Sequence, residues 1–167
     1  MLFDAIERVY TVVNANFAAD FTTLAGIKGV ATSGFPAAIV KRETAEIMRA
    51  KLQTLPAIGI YGIEAETQMA KGGLGGTRDA RCQIGADLVI VGTDPVLIQQ
   101  QIELGCEVLV KEMCDRVPTG ANTTFAGGLE EGSVKVSVTD GYTDEQGSNY
   151  MAIGTVVVPI WDRDNTT

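Results

Sequence analysis

The stretch KGGLGGTRDARCQIGADLVIVG, residues 71–92, decides how the middle of this chain folds. Its first part contains four glycines, Gly72, Gly73, Gly75 and Gly76. After them, apolar residues occupy the even positions Cys82, Ile84, Ala86, Leu88 and Ile90. The residues between them are Arg81, Gln83, Gly85 and Asp87. A period of two is typical of a strand with one buried and one wet face, so the glycines precede a strand.

The glycine-rich segment is either a phosphate-binding loop or the tip of a hairpin. A phosphate-binding loop needs a helix amino terminus directly behind it, because the helix supplies the amides and the dipole that hold the anion. Here a strand follows, and LPAIGIYGIEAE before the glycines predicts another strand over 57–65. No Lys followed by Ser or Thr comes after the last glycine. The context therefore favours a hairpin loop.

This loop, from Met69 to Asp79, is longer than the two to five residues of a tight hairpin. Lys71, Arg78 and Arg81 place positive charge at its base in a chain that is otherwise acidic. The loop is either simply solvated or an arm that contacts an acidic neighbour, and the residues alone leave both interpretations open.

Helices are predicted before and after this pair of strands. FDAIERVYTVVNANF spaces Ile6, Val9, Tyr10, Val13 and Phe17 as one helical face, and RETAEIMRAKLQ predicts a short second helix. In TDPVLIQQQIELGCEVLVKEMCDRVP, Asp94 is the predicted N-cap and Pro95 the first helical residue. The predicted apolar stripe of this long helix is Ile98, Ile102, Cys106, Leu109 and Met113.

Two further strands are predicted at VKVSVTD, with Val134, Val136 and Val138 on one face, and at YMAIGTVVVPIW. The chain is thus expected to form a single α+β domain over residues 1–167, in the order α(α)ββαββ. A mostly antiparallel four-stranded sheet of two hairpins would carry its helices on one face. Residues 18–54 are predicted to be largely an insertion or loop, and residues 162–167 a frayed tail.

Composition excludes several function classes. The formal net charge is −8 and no basic run exists, which argues against a surface that grips nucleic acid, although an acidic wall suits DNA that slides past. The chain has no histidine, so His-based zinc sites and catalytic triads are excluded. Cys82, Cys106 and Cys114 fit reduced core residues, and the acidic amino end predicts neither export nor membrane insertion.

The remaining polar and aromatic candidates have ordinary alternatives. Asp140, Asp144 and Glu145 lack calcium-loop spacing, and the adjacent Glu130 and Glu131 define no acid and base pair without a pocket. Tyr150 and Trp161 bracket the last strand and fit either an interface or the core. No catalytic residue, cofactor or metal is predicted.

The order of elements resembles the tail terminator and neck proteins of tailed bacteriophages. The resemblance lies in LPAIGIYG, in RDARCQIGADLVIVGTDP leading into QQQIELGCEVLVKEM, and in the closing NYMAIGTVVVPIWD. It covers roughly Leu55 to Asp162. The family is one of structural virion proteins, so the resemblance implies no catalysis.

The resemblance implies a homo-oligomeric ring, commonly a hexamer, that ends tail-tube polymerisation and joins the tail to the head connector. Its partners would be further copies of itself, the tube protein, the connector and DNA that passes through the lumen without specific binding. It would be assembled in the host cytoplasm. The contact residues would be in the hairpin loops (Lys71, Gly72, Gly73, Gly75, Gly76, Arg78, Arg81, Glu130, Glu131) together with Tyr150 and Trp161. The alternatives are a small nucleotide-binding or enzymatic module that uses residues 71–78, and an unrelated adaptor with the same architecture.

Overall fold

A computed structural model describes residues 2–35, 38–51, 55–69, 78–116, 118–119, 123–124, 134–143 and 148–164. Its helices are α1 (Leu2–Lys28), α2 (Ala45–Ala50) and α3 (Pro95–Lys111), and α3 continues into a π-helical turn at Glu112–Arg116. The strands are β1 (Ala38–Lys41), β2 (Ala57–Met69), β3 (Arg78–Gly92), β4 (Pro118–Thr119), β5 (Thr123–Thr124), β6 (Lys135–Tyr142) and β7 (Tyr150–Asp164).

The main sheet has five strands in the order β1-β2-β3-β7-β6. Both predicted hairpins are present, since β2 pairs antiparallel with β3 and β6 pairs antiparallel with β7. The prediction of four antiparallel strands is wrong in detail, because β1 adds a parallel edge strand beside β2. A separate small ladder joins β4 to β5. The α+β class is confirmed.

The region 18–54 is mostly regular structure and not the predicted loop. Helix α1 runs through Gly26 because Phe21 and Ala25 extend its buried face, and Phe21 stacks on Phe35 at a centroid distance of 4.0 Å. The helix ends only at Gly29, whose φ of +70° allows Val30 N–H to donate to the Ala25 carbonyl at 2.9 Å. The rest of the region contains β1 and α2.

Helices α1 and α3 cover one face of the sheet. The even positions predicted for β3 are all buried there, against Val9, Val13 and Phe17 of α1 and the whole predicted stripe of α3. Asp94 caps α3 as predicted, and its Oδ1 accepts from the amides of Val96 and Leu97 at 3.0 and 3.1 Å. The three cysteines are free and buried, which confirms their assignment to the core.

Helix α2 lies on the opposite face, so the prediction that all helices share one face is wrong. Ala45 and Met48 of α2 form a second cluster with Ala57 and Val89. The chain that enters α2 passes directly over β2, where a Cβ on Gly59 would stand 1.9 Å from the carbonyl oxygen of Glu43. This close approach requires glycine, because any side chain there would displace the backbone that carries α2.

A salt bridge joins the short edge strand β1 to α1. The two carboxylate oxygens of Glu7 accept from Lys41 Nζ at 2.7 Å and Arg42 Nη2 at 3.0 Å. The hydrogen bond from Lys41 is the main reason that the pKa of Glu7 lies below its usual range. These contacts hold the end of β1 against the helix layer.

The long strands run further than predicted. Strand β2 continues to Met69, β3 begins at Arg78, and β7 continues to Asp164, so residues 162–164 belong to the sheet and are not a frayed tail. Their pairing with residues 78–80 supplies the ladder hydrogen bonds that the polar composition of the tail does not indicate. Among the described residues, none of the helices combines the length and apolarity needed to cross a membrane.

Substitution Gly59→Ala should destabilise the protein strongly, by about 3 kcal/mol, because the added methyl group meets backbone and not a movable side-chain end. The measurement is the free energy of unfolding in urea. The matched control is Gly26→Ala, where nothing lies within 4 Å of the position that the methyl group would take and helix propensity should add about 0.5–1 kcal/mol. Equal stabilities of the two variants would contradict the described approach of residue 43 to β2.

Candidate interaction surface

The glycine-rich segment lies between two antiparallel strands, β2 and β3. A strand and not a helix follows it, which confirms the hairpin context predicted from the alternation. Lys71, Gly72, Gly73, Gly75, Gly76, Glu130 and Glu131 lie outside the described residues. The backbone of Arg78 pairs with Met69 and Asp164, and that of Trp161 pairs with Arg81. The half-buried Arg81 also lies opposite Glu66, so cross-strand charge pairing is available at the base of the loop.

A buried carboxylate organises the sheet face beneath α2. Asp87, at the centre of β3, is only 5% exposed. Its Oδ2 accepts from the backbone N–H of Ala45 at 2.7 Å, and its Oδ1 accepts from the hydroxyls of Tyr61 at 3.0 Å and Thr155 at 2.7 Å. The carboxylate therefore satisfies an amide at the amino terminus of α2 and joins that helix to β2, β3 and β7.

The ring of Tyr61 lies across the backbone of β3. A Cβ on Gly85 would be 2.5 Å from the ring carbon Cζ, so the absence of a side chain at Gly85 creates the space that the ring occupies. Burial, the nearby Asp87 charge and the hydrogen bond to Asp87 all raise the pKa of the Tyr61 hydroxyl far above its usual range. Tyr61 therefore acts as a hydrogen-bond donor that holds Asp87 in place.

The second polar cluster surrounds Tyr150, a predicted contact residue. The Tyr150 hydroxyl donates to Asp140 Oδ2 at 2.5 Å and accepts from Gln99 Nε2 at 2.7 Å. The bond to Asp140 is the main cause that raises the pKa of Tyr150. The ring packs edge-on against Tyr142 with centroids 5.3 Å apart. Tyr150 thus links α3, β6 and β7, half-buried within one chain.

Strand β6 carries three exposed apolar residues that we name the β6 strip, with Asp140 on the same face between the second and the third. The strip consists of Val136, Val138 and Tyr142, which are 50%, 42% and 61% exposed. These residues pair with Val156, Gly154 and Tyr150 of β7, so they lie on the same side of the sheet as α1 and α3. On this side the core residues of β7 are covered, whereas the strip beside them is open to solvent.

The position of α3 explains why the strip is open. The helix packs closely on the centre of the sheet, because two glycines leave room for side chains of the opposite layer. A Cβ on Gly105 would stand 2.2 Å from Leu88 Cδ2, and a Cβ on Gly154 would stand 2.4 Å from Cys106 Sγ. A helix is about 10 Å wide and neighbouring strands are about 4.8 Å apart. A helix seated over β3 and β7 therefore leaves the next strand uncovered.

The sequence predicted the common face of Val134, Val136 and Val138 but not its exposure. Val134 packs against the core, whereas Val136 and Val138 do not. Alternating valines indicate that a strand has an apolar face, but they carry no information on whether the chain itself covers that face. The available signal was the position of β6 after α3, since no helix follows α3 and its π-helical turn among the described residues.

The buried thiols are poorly suited to nucleophilic chemistry. Burial is the main cause that raises the pKa of Cys106 to about 11, and the same effect raises the pKa of Cys114 to about 11. Both are therefore thiols and not thiolates near neutral pH. Within the described ranges no three His, Cys, Asp or Glu side chains are grouped as metal ligands.

No protein-family model matches the sequence, and no curated protein matches it significantly.

Removing the central carboxylate with Asp87→Ala should lower the free energy of unfolding by about 2–3 kcal/mol, because three donors lose a buried acceptor. Asp87→Asn should recover part of this loss. The hydroxyls of Tyr61 and Thr155 can rotate and accept hydrogen bonds from the NH₂ group of the introduced side chain, whose oxygen can still accept from the Ala45 N–H. The matched control is Glu107→Ala, which removes an exposed carboxylate on α3. Urea unfolding should rank the stabilities Glu107→Ala, Asp87→Asn, Asp87→Ala from highest to lowest, and an Asp87→Ala variant as stable as Glu107→Ala would contradict the role of Asp87.

The stability should fall as the pH rises above about 10, the ordinary pKa of tyrosine, because the unfolded chain loses the Tyr61 proton first while the folded chain retains it. One proton corresponds to at most about 1.4 kcal/mol per pH unit, and less for a ring that is partly solvated. Urea unfolding from about pH 8 to pH 11 should show a smaller loss for Tyr61→Phe than for the unmodified chain. Equal slopes would exclude Tyr61 as a source of alkaline sensitivity.

Proposed function

We propose that this protein is a structural subunit of a ring at the head-proximal end of a bacteriophage tail, where it ends tube polymerisation and joins the tail to the head connector. One observation carries the proposal. The β6 strip places three exposed apolar residues on an edge strand, beside a helix layer that does not reach it. Such an edge is a template for another chain.

The architecture is consistent with the sequence resemblance to tail terminator and neck proteins. Two hairpins and the long helix α3 occur in the order on which that resemblance rests. The additional elements β1 and α2 lie at the other edge and the other face of the sheet. The β6 edge therefore stays available for assembly.

Electrostatics favours a lumen through which DNA slides. A subunit with a net charge of −8 repels phosphate, and a ring multiplies that charge by the number of copies. A wall of this sign lowers the affinity for DNA that must keep moving. The bacteriophage partners follow from the resemblance, whereas the surface that would receive another chain is a feature of this fold.

The nucleotide-binding alternative has less support. Its loop, residues 71–78, is followed by β3, so no helix amino terminus stands behind the glycines. The buried polar cluster at Asp87 is filled by an amide and two hydroxyls of the chain itself. These hydrogen bonds hold α2 on the sheet, so the Asp87 carboxylate is already used by the fold and is not presented to a ligand.

Light scattering of the purified protein over a wide concentration range should show a defined species of several subunits, because assembly removes the exposed apolar surface of the β6 strip from water. Negative-stain images of that species should show a ring with a central opening. Val138→Asp should reduce assembly while leaving the monomer folded, and Thr22→Asp, on an exposed position of α1, is the control. A chain that stays monomeric throughout this range would contradict the proposed ring.

A further inference from the structure

The sheet ends in two different edges. At one end β6 presents its outer side along all eight residues, Lys135–Tyr142. At the other end β1 covers only residues 57–60 of β2. The remainder of β2 has no neighbour on its outer side among the described strands. Among the described strands, the edges without a neighbour are therefore β6, the second half of β2 and the outer side of the four-residue β1.

The strand directions make the edges of β6 and β2 compatible in successive copies. Along the order β2-β3-β7-β6 every neighbouring pair is antiparallel, so β6 runs opposite to β2. When copies are related by rotation about an axis roughly parallel to the strands, β6 of one copy meets β2 of the next with opposite direction. The contact then continues the antiparallel alternation of the sheet.

Side chains match on both faces in one register. Pairing Lys135 with Glu66 places Val136 opposite Ala65, Ser137 opposite Glu64 and Val138 beside Ile63, and all of these side chains are exposed in the single chain. On the side of α1 and α3 the contact is apolar. On the other side Lys135 meets Glu64 and Glu66, a complementary charge arrangement.

The irregularity of β2 supports this choice of edge. The register of β2 against β3 shifts between Gly62 and Glu64, and Ile63 at the shift is 47% exposed. A large apolar side chain at a bulge on a sheet edge is suited to contact with another chain. Ile63 lies next to the position at which the proposed register brings Val138.

We propose that residues 135–138 of β6 in one copy pair antiparallel with residues 63–66 of β2 in the next copy, so that the sheets join edge to edge. This inference rests on the proposed ring and specifies its contact. The two surfaces are different patches of the same chain, so the contact is heterologous, and repeated copies close into a ring when the rotation permits.

Cross-linking tests the register directly. In the doubly substituted chain Ser137→Cys/Glu64→Cys, mild oxidation should give a ladder of covalent multimers on a non-reducing gel, because directly opposite Cβ atoms are about 5 Å apart. The native cysteines are buried. The control chain Ser137→Cys/Glu107→Cys moves the second thiol to an exposed position on α3 and should give no ladder.

Charge exchange tests the same contact without covalent chemistry. Lys135→Glu should raise the concentration at half assembly by about tenfold, because it brings like charges together. Glu66→Lys should act in the same direction, and the double variant Lys135→Glu/Glu66→Lys should restore assembly. Lys28→Glu, an exposed reversal at the end of α1, should leave assembly unchanged.

The outcomes separate the two proposals. Rings in micrographs combined with no ladder and no charge rescue would overturn the edge pairing, leave the ring standing and assign the β6 strip to a different occupant. Absence of any large species for the unmodified chain would overturn the ring itself. A ladder together with rescue by the double variant would support both.

Discussion

The antiparallel pairing of β3 with β7 is the constraint on which the rest of the structure depends. The two strands are in register over fifteen residues each, and every other layer attaches to this pair. Strands β2 and β6 flank it, α3 lies on one face, and α2 is held on the other by Asp87. Because both faces are covered along the middle, the central residues of β3 are buried in succession, Gly85 to Ile90. A strand buried on both faces cannot be displaced without losing all these contacts at once.

The close seating of α3 links stability to assembly. Gly105 and Gly154 bring the helix near the sheet, which gives a dense core around Leu88 and Cys106. The same position leaves β6 at the margin of the helix layer, where Val136 and Val138 stay exposed. A helix placed between β7 and β6 would cover the strip and would leave a gap over β3. The fold thus buries the core over β3 and β7 and leaves apolar side chains of β6 exposed. The proposed ring depends on this exposed edge.

Two polar networks, one around Asp87 and one around Tyr150, fix the positions of secondary-structure elements. Asp87 is buried and Tyr61 is half-buried, and the Asp87 carboxylate accepts hydrogen bonds from Tyr61, Thr155 and the Ala45 amide. Such a network specifies where a short helix sits, because α2 has only six residues and little stability of its own. The network on Tyr150 does the same at the other margin, where it ties β6 to α3 through Gln99. Both networks therefore hold elements next to the edges proposed to meet in the ring.

The sequence by itself determined the α+β class, both hairpins, the cap of α3 at Asp94 and the apolar faces of β3 and α3, because periodicity and capping are local. Residues 18–54 were predicted to be largely loop, whereas packing of Phe21 and Ala25 sustains a helix to Lys28. Asp87 fitted a wet strand face, whereas the tertiary structure places α2 over it. Val136 and Val138 share an apolar face both by their spacing in the sequence and in the structure, but only the tertiary structure shows that the described helices leave them exposed. The physical reason is that a pattern records which side of an element avoids water, and not which partner excludes the water.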